Sequence, residues 1–137
     1  MDVMKLLIDT NVILDLVFNR ANAAVSADVF RRISNNSDIA LITASSATDL
    51  FYIIHKETHN SNTSYRIMEK ILKITSIIPV IENDILTAMM LKWNDFEDCV
   101  QYAAARRNGI DCIITNNTKD FKNSIIPIML PADFCKG

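Results

Sequence analysis

Glycine is nearly missing from this chain: Gly109 and Gly137 are the only two in 137 residues. A P-loop and a dinucleotide-binding glycine loop are both excluded on that ground, so any phosphate chemistry has to rest on side chains and a metal. Cysteine is scarce and odd in number. Cys99, Cys112 and Cys135 have no close spacing, which argues against a disulfide scaffold and a zinc knuckle and suits a reducing compartment. No apolar run approaches the roughly 18 residues of a membrane span. The opening Met1-Asp2-Val3 lacks a basic segment leading into a long apolar stretch, so no export signal is visible and cytoplasmic residence is the expectation. Positive charge is not in excess either. The net charge of -2 gives no global pull on nucleic acid, and such a substrate would need a local basic patch or bound metal.

What the chain does have is apolar residues, 50% of the total against 22% charged. Its length fits one domain over 1–137, large enough to bury roughly two-thirds of the extended-chain surface. So apolar a chain has surface to hide, which points to a homodimer, with the helical stretches 23–33 and 65–74 as candidate contact elements.

Lys5-Leu6-Leu7-Ile8 is a short apolar run ending at Asp9 and reads as a buried parallel strand. Val12, Ile13, Leu16 and Val17 recur at helical spacing, with Thr10 or Asn11 as N-cap. The pattern predicts a helix over 23–33, a strand over 39–42, and a helix capped from 43–46 that runs toward His59. Residues 60–63 read as a loop and 65–74 as a helix. Ile77, Ile78 and Val80 read as a strand interrupted by Pro79, hence near a sheet edge. Helices over 83–92 and 95–107 follow, the second closed by Gly109 as its C′ residue. A strand over 112–114 and a short one over 128–130 complete the series. Such alternation implies an α/β fold, a three-layer α/β/α arrangement around a central, mainly parallel sheet.

Ligand sites of parallel sheets lie outside the carboxyl ends of the strands. Asp9-Thr10-Asn11 and Thr115-Asn116-Asn117-Thr118-Lys119-Asp120 both follow strands there. Asp95-Phe96-Glu97-Asp98 opens a helix, whose N-terminus lowers the cost of an ionised Asp98. Asp49 lies on the first turns of the helix after the second strand, with Ser46 one turn earlier on the same face. Two carboxylates about 4 Å apart repel by about 4 kcal/mol at an effective dielectric near 20, so converging acids take up a proton or a cation. Oxygens of Asp and Asn suit a hard ion such as Mg²⁺ or Mn²⁺. Taken singly, each acid is more often a cap or turn former, Asp95 most of all. Asp28, Asp38, Asp111 and Glu57 read as surface or turn residues. His55 and His59 stand four apart, but Lys56 occupies the place where a zincin needs glutamate, so they read as exposed helix histidines.

The stretch Leu6-Leu7-Ile8-Asp9-Thr10-Asn11-Val12-Ile13-Leu14-Asp15 resembles the opening motif of PIN domains, the fold of many VapC-like toxin ribonucleases in toxin–antitoxin pairs. Asp95-Phe96-Glu97-Asp98 with Ala103-Ala104 resembles the family's central acidic helix. Residues Ile113 through Phe121 resemble its late strand and loop, and Pro131-Ala132-Asp133-Phe134 its ending. The resemblance implies a Mg²⁺- or Mn²⁺-dependent endoribonuclease in which Asp9, Asp49, Asp98 and Asp120 are the catalytic, metal-binding acids. Thr10, Asn11, Ser46, Asp95, Thr115, Asn116 and Asn117 would frame them. Asp49 stands where many members have glutamate, and Asn116 where many have arginine. In such a site the metal would bind a phosphate oxygen and acidify the attacking water. The implied partners are RNA, a cognate antitoxin whose arginine would enter the acidic cleft, and a second copy of the chain. The candidates for RNA contact, Lys92, Arg106, Lys119, Lys122 and Tyr52, are scattered along the sequence. Two rival readings stand beside this one: a non-catalytic PIN-like binding module, and a haloacid-dehalogenase-like phosphotransferase. The latter needs a second acid two residues after the first, where this chain has Asn11.

Overall fold

The computed structural model describes residues 3–137; Met1 and Asp2, included in the expected domain, lie outside the described residues. Strand β1 (Lys5–Ile8) organises everything around it. Side chains of a strand alternate between faces, and the two apolar clusters divide accordingly. Leu6 and Ile8 join one cluster, Leu7 the other. All three are fully buried, as a central strand covered on both sides requires.

The remaining strands are β2 (Ile39–Thr43), β3 (Ser76–Ile78), β4 (Cys112–Ile114) and β5 (Ile128–Met129). They form one sheet in the order β3-β2-β1-β4-β5, and every pairing is parallel. Leu7 is in register with Leu41 on one side and Ile113 on the other, which stacks three large apolar side chains on one face. Helices α1 (Thr10–Val17), α2 (Ala23–Asn35), α3 (Ala44–Thr58) and α4 (Ser61–Ile74) cover the Leu6/Ile8 face. The Leu7 face is covered by α6 (Phe96–Arg107), with α5 (Glu82–Leu91) packed outside it. Ala103, Ala104 and Ala105 in α6 are all buried; their small side chains let this helix sit close to the sheet.

The expected three-layer α/β/α class is therefore what the chain forms, with details that differ. The N-cap of α1 is Asp9, not Thr10 or Asn11: its carboxylate accepts from Thr10 N at 2.8 Å. Helix α4 begins at Ser61, inside the stretch expected to be loop, because the Asn60 side chain accepts from Thr63 N at 2.9 Å and caps it. Strand β3 is an edge strand as expected, but ends before Pro79 instead of running through it. Leu130 to Lys136 adds an element the pattern did not suggest, helix α7 (Pro131–Lys136), with proline at its first position where the missing N–H costs nothing.

Helix α5 leaves Ile85, Leu86, Met89 and Met90 exposed, Met90 at 82%. The broadest bare apolar face is thus there, and not on the two stretches singled out from the sequence. No helix among the described residues is long and apolar enough to cross a membrane.

Candidate metal centre

From β1 the chain builds outward first through β2 to β3, then returns to place β4 and β5 on the other side. The strand order reverses between β1 and β4, and a crevice opens at such a switch point, at the carboxyl ends of the strands. Asp9 follows β1 there and Thr115 follows β4. Helix α6 leads into β4, and Gln101 on its second turn reaches Asp9, which places its N-terminus at the same end.

Asp9 is buried and held by four donors. Its Oδ1 accepts from Thr10 N at 2.8 Å and Gln101 Nε2 at 3.3 Å. Its Oδ2 accepts from Thr115 Oγ1 at 2.7 Å and Asn11 Nδ2 at 3.2 Å. Donors on both oxygens give the carboxylate one orientation. Asp98 stands opposite, on the first turn of α6, where Asp95 Oδ1 accepts from its backbone N at 2.9 Å. Gln101 Nε2 reaches Asp98 Oδ1 at 3.4 Å as well as Asp9. One amide nitrogen thus spans both acids, and their oxygens lie within two hydrogen-bond lengths of each other.

The cleft above is lined by Asp9, Thr10, Asn11, Asp98, Asn117 and Asp120, with Asp95 and Glu97 at its side. Crowding of like charge shows in the acidities. Burial, reinforced by the charges of Asp9, Asp95 and Asp120, pushes the Asp98 carboxyl up to about 7. Glu97 is pushed up to about 8, first by a hydrogen bond to Asp49 and then by burial and the same acidic surroundings. A hydrogen bond between two carboxyl groups requires that they share a proton. Among the described residues no three His, Cys, Asp or Glu side chains stand gathered at ligand spacing.

The sequence-derived candidates separate into three groups. Asp9, Asp98, Asp120, Asn117, Thr10, Asn11 and Asp95 line one cleft. Asp49 is tied to it through Glu97. Ser46, Thr115 and Asn116 do not line it. Ser46 is buried in the cap of α3, where Thr43 Oγ1 donates to its hydroxyl at 2.9 Å. Thr115 holds Asp9 and accepts from Asn117 N at 3.0 Å. Asn116 ties the late loop to α1, donating to Asn11 Oδ1 at 3.3 Å and, through Nδ2, to the buried Asp15 at 2.8 Å. Asp95 both caps α6 and lines the cleft.

Two participants went unseen in the sequence. Glu97 lay inside the recognised acidic stretch, but its exposed helical position gave no hint of a partner on α3. Gln101 carries no charge; the available signal was its spacing, three residues after Asp98 and so on the same helical face.

The donor set is all oxygen, without sulfur or imidazole, which suits a hard divalent ion. An unpaired atom on the cleft wall agrees with an additional polar occupant. Thr10 Oγ1 is buried without a hydrogen-bond partner, and leaving a buried polar atom unsatisfied costs about 1–3 kcal/mol.

A fold with acids gathered at this switch point defines a class, and a family model describing the PIN domain matches residues 5–119. The chain belongs to the PIN domain family. It is 26% identical to ribonuclease VapC1 of Aquifex aeolicus (strain VF5), over 96% of this chain and 94% of that protein. Among solved structures, VapBC2 from Rickettsia felis bound to a promoter DNA fragment superposes with a TM-score of 0.74 at 14% identity, covering 93% of this chain and 98% of that one. VapBC-1 from nontypeable Haemophilus influenzae gives a TM-score of 0.74 at 18% identity, covering 94% and 99%.

Proposed function

We propose that the chain is a Mg²⁺- or Mn²⁺-dependent endoribonuclease, the toxin of a toxin–antitoxin pair, working in the cytoplasm as a homodimer. The observation that carries the reading is the acidic cleft itself. Asp98 is held near neutrality by burial and by Asp9, Asp95 and Asp120, a cost that a single-purpose structural acid would not bear and that a cation relieves. Kinship with a VapC1 ribonuclease and with chains of VapBC complexes supports the choice of substrate and of partner.

Asp9, Asp98 and Asp120 would hold the ion, with Asp49 and Glu97 as a second acidic pair beside them. A divalent ion there would supply Lewis acidity toward the phosphate and a more acidic water. The chain's own residues do the rest. Thr115, Asn11 and Thr10 N lock Asp9 in one rotamer, Asp95 fixes the start of α6, and Glu97, beside Asp49, keeps its proton near neutral pH. The phosphotransferase alternative fits poorly, because the second acid it needs two residues after Asp9 is replaced by Asn11, whose amide donates to Asp9 Oδ2 at 3.2 Å. A second copy of the chain has the apolar face of α5 available to cover.

The experiment is RNA cleavage by the purified chain in Mn²⁺ and in EDTA, with Asp9→Asn and Asp98→Asn alongside. We expect cleavage only with metal, and a loss of about 10³-fold, roughly 4 kcal/mol of transition-state stabilisation, in each variant. Undiminished cleavage in EDTA or by Asp98→Asn sinks the assignment, and its absence from the unmodified chain in every metal favours the binding-module reading.

A further inference from the structure

Three of the lysines that are scattered in sequence meet in space. Lys92, Lys119 and Lys122 line a cavity of about 430 Å³ together with Trp93, a volume within the usual range of about 300–1,000 Å³ for ligand sites. The cavity is no separate hollow. Asp95 and Asp120 form part of its wall and also line the acidic cleft, so the two are halves of one trough, negative at one end and lysine-rimmed at the other.

Among the described residues, the ion pairs are Arg20–Asp15, Arg31–Asp28, Arg107–Asp84 and Lys136–Asp133. None of the three cavity lysines is in one, although two acids share their wall. Lys119 and Lys122 sit on and just after a single 3-10 turn, Thr118–Phe121, whose Phe121 is anchored in the core. Lys92 ends α5 in the left-handed region at φ 53°, a conformation that favours glycine and that a lysine adopts at a cost. Trp93 is fixed by stacking on Tyr102 at 4.6 Å and by the edge of Phe121 at 5.9 Å, which makes it a rigid aromatic wall. Arg106 and Tyr52 do not line the cavity.

We propose that this lysine-rimmed cavity is the subsite for single-stranded RNA next to the scissile phosphate. The lysines take the backbone phosphates of the neighbouring nucleotide, and Trp93 flanks its base. The inference rests on the ribonuclease reading for its ligand. It also answers a problem that reading leaves open, since a chain of net charge -2 with an acidic centre must hold a polyanion somewhere. Unpaired ammonium groups and an aromatic wall are the means by which single strands are bound without reading their sequence.

The test is fluorescence anisotropy of a short labelled single-stranded RNA in EDTA, where binding is read without cleavage. The joint substitution of Lys92, Lys119 and Lys122 by alanine should weaken binding about 10-fold or more and lower the slope of log Kd against log salt by about 2. The same change at Lys56, Lys70 and Lys73, on α3 and α4, should move neither by much. Arginine at the three cavity positions should restore binding. Lys92→Gly separates binding from folding: affinity should fall while Tm holds or rises, since glycine takes a positive φ without strain. Equal losses from the two alanine sets, no loss from the cavity set, or no RNA binding by the unmodified chain would overturn the subsite. Cleavage is assayed separately, so lysine-dependent RNA binding without metal-dependent cleavage would leave the cavity as an RNA site while the ribonuclease reading, and the scissile phosphate with it, fell.

Discussion

Helix α6 meets an acid near each end, one buried and one half-buried, and the two are treated in opposite ways. At the C-terminal end, Asp84 of α5 is 2% exposed and is gripped by Arg107, with Nε to Oδ1 and Nη2 to Oδ2 both 2.9 Å. Its Oδ2 also accepts from Ile81 N at 2.9 Å. The guanidinium bonds hold its carboxyl below the ordinary 3.8, against the pull of burial. At the N-terminal end, Asp98 has an amide and more acids for company, and its carboxyl is driven up. Asp84 has what a structural acid needs, a cation and hydrogen bonds to its ionised form. Asp98 is in no ion pair among the described residues and has one amide contact at 3.4 Å, as suits an acid whose role is not structural.

If that contrast is sound, breaking the satisfied acid should damage the fold and spare the chemistry. Asp84→Ala removes the cap of α5 and the clamp that ties α5 to α6, and it should lower stability by about 2 kcal/mol. For a chain of this length the fall in Tm would be roughly 5–10 °C. Metal affinity and RNA cleavage per folded molecule should stay within about twofold. Because Asp84 contributes through its ionised form, the difference should shrink as pH falls through its lowered folded value. Calorimetry as a function of pH reads both. A variant as stable as the parent at neutral pH would mean that the clamp is incidental.

Gln101 offers a finer cut at the other end. It is 1% exposed and does not line the cleft, so it lies beneath the carboxylates and holds them from behind. Gln101→Met keeps the volume, removes the amide that spans Asp9 and Asp98, and also removes an Oε1 buried without a hydrogen-bond partner. Metal ligands freed from such outer partners typically lose about 10–100-fold in affinity, and Mn²⁺ titration followed by electron paramagnetic resonance should show a loss in that range. Tighter Mn²⁺ binding would show instead that the amide fills the ion's own place.

How much of this was readable beforehand follows the range of each interaction. The parallel sheet was legible because Leu6, Leu7 and Ile8 form an unbroken apolar run, a pattern that only a strand covered on both faces needs. Asp9 was legible as a strand-end acid, but not as the cap of α1, since Thr10 and Asn11 beside it have equally good capping side chains and only backbone geometry decides. Asn60 was hidden for a related reason: Ser, Asn and Thr in a row suit a loop and a first helical turn alike. Links between distant segments were the least visible. Gln101 reaches Asp9 across 92 positions, and Asn116 reaches Asp15 across 101; nothing local in either residue announces its partner. The lysine trough belongs to the same class, for Lys92 and Lys119 are neighbours only once α6 has folded between them.

The smallest effect expected is the response of Asp98 to pH. The folded chain keeps a proton on this carboxyl up to about 7, whereas the unfolded chain releases it near 3.8. Between those values the folded state binds the additional proton, so stability falls as pH climbs and stays lowered above the folded value. Asp98→Asn cannot titrate. Its amide oxygen still accepts from Gln101, and its backbone N still donates to Asp95, so the start of α6 is preserved. The variant and the parent should therefore melt together near pH 4 and separate through neutrality. At about pH 8 in EDTA the variant should be ahead by about 1–2 kcal/mol, the nominal shift being discounted because water reaches the cleft. The raised Glu97 carboxyl acts in the same direction in both proteins and largely cancels in the difference. Excess Mn²⁺ should reverse the order, because only the parent offers the ion its full charge and gains stability by binding it. Differential scanning calorimetry across pH, with and without Mn²⁺, decides the matter. If the two proteins keep a constant separation from about pH 4 to 8, Asp98 is not strained by its neighbours, and the difference between the two ends of α6 loses its functional meaning.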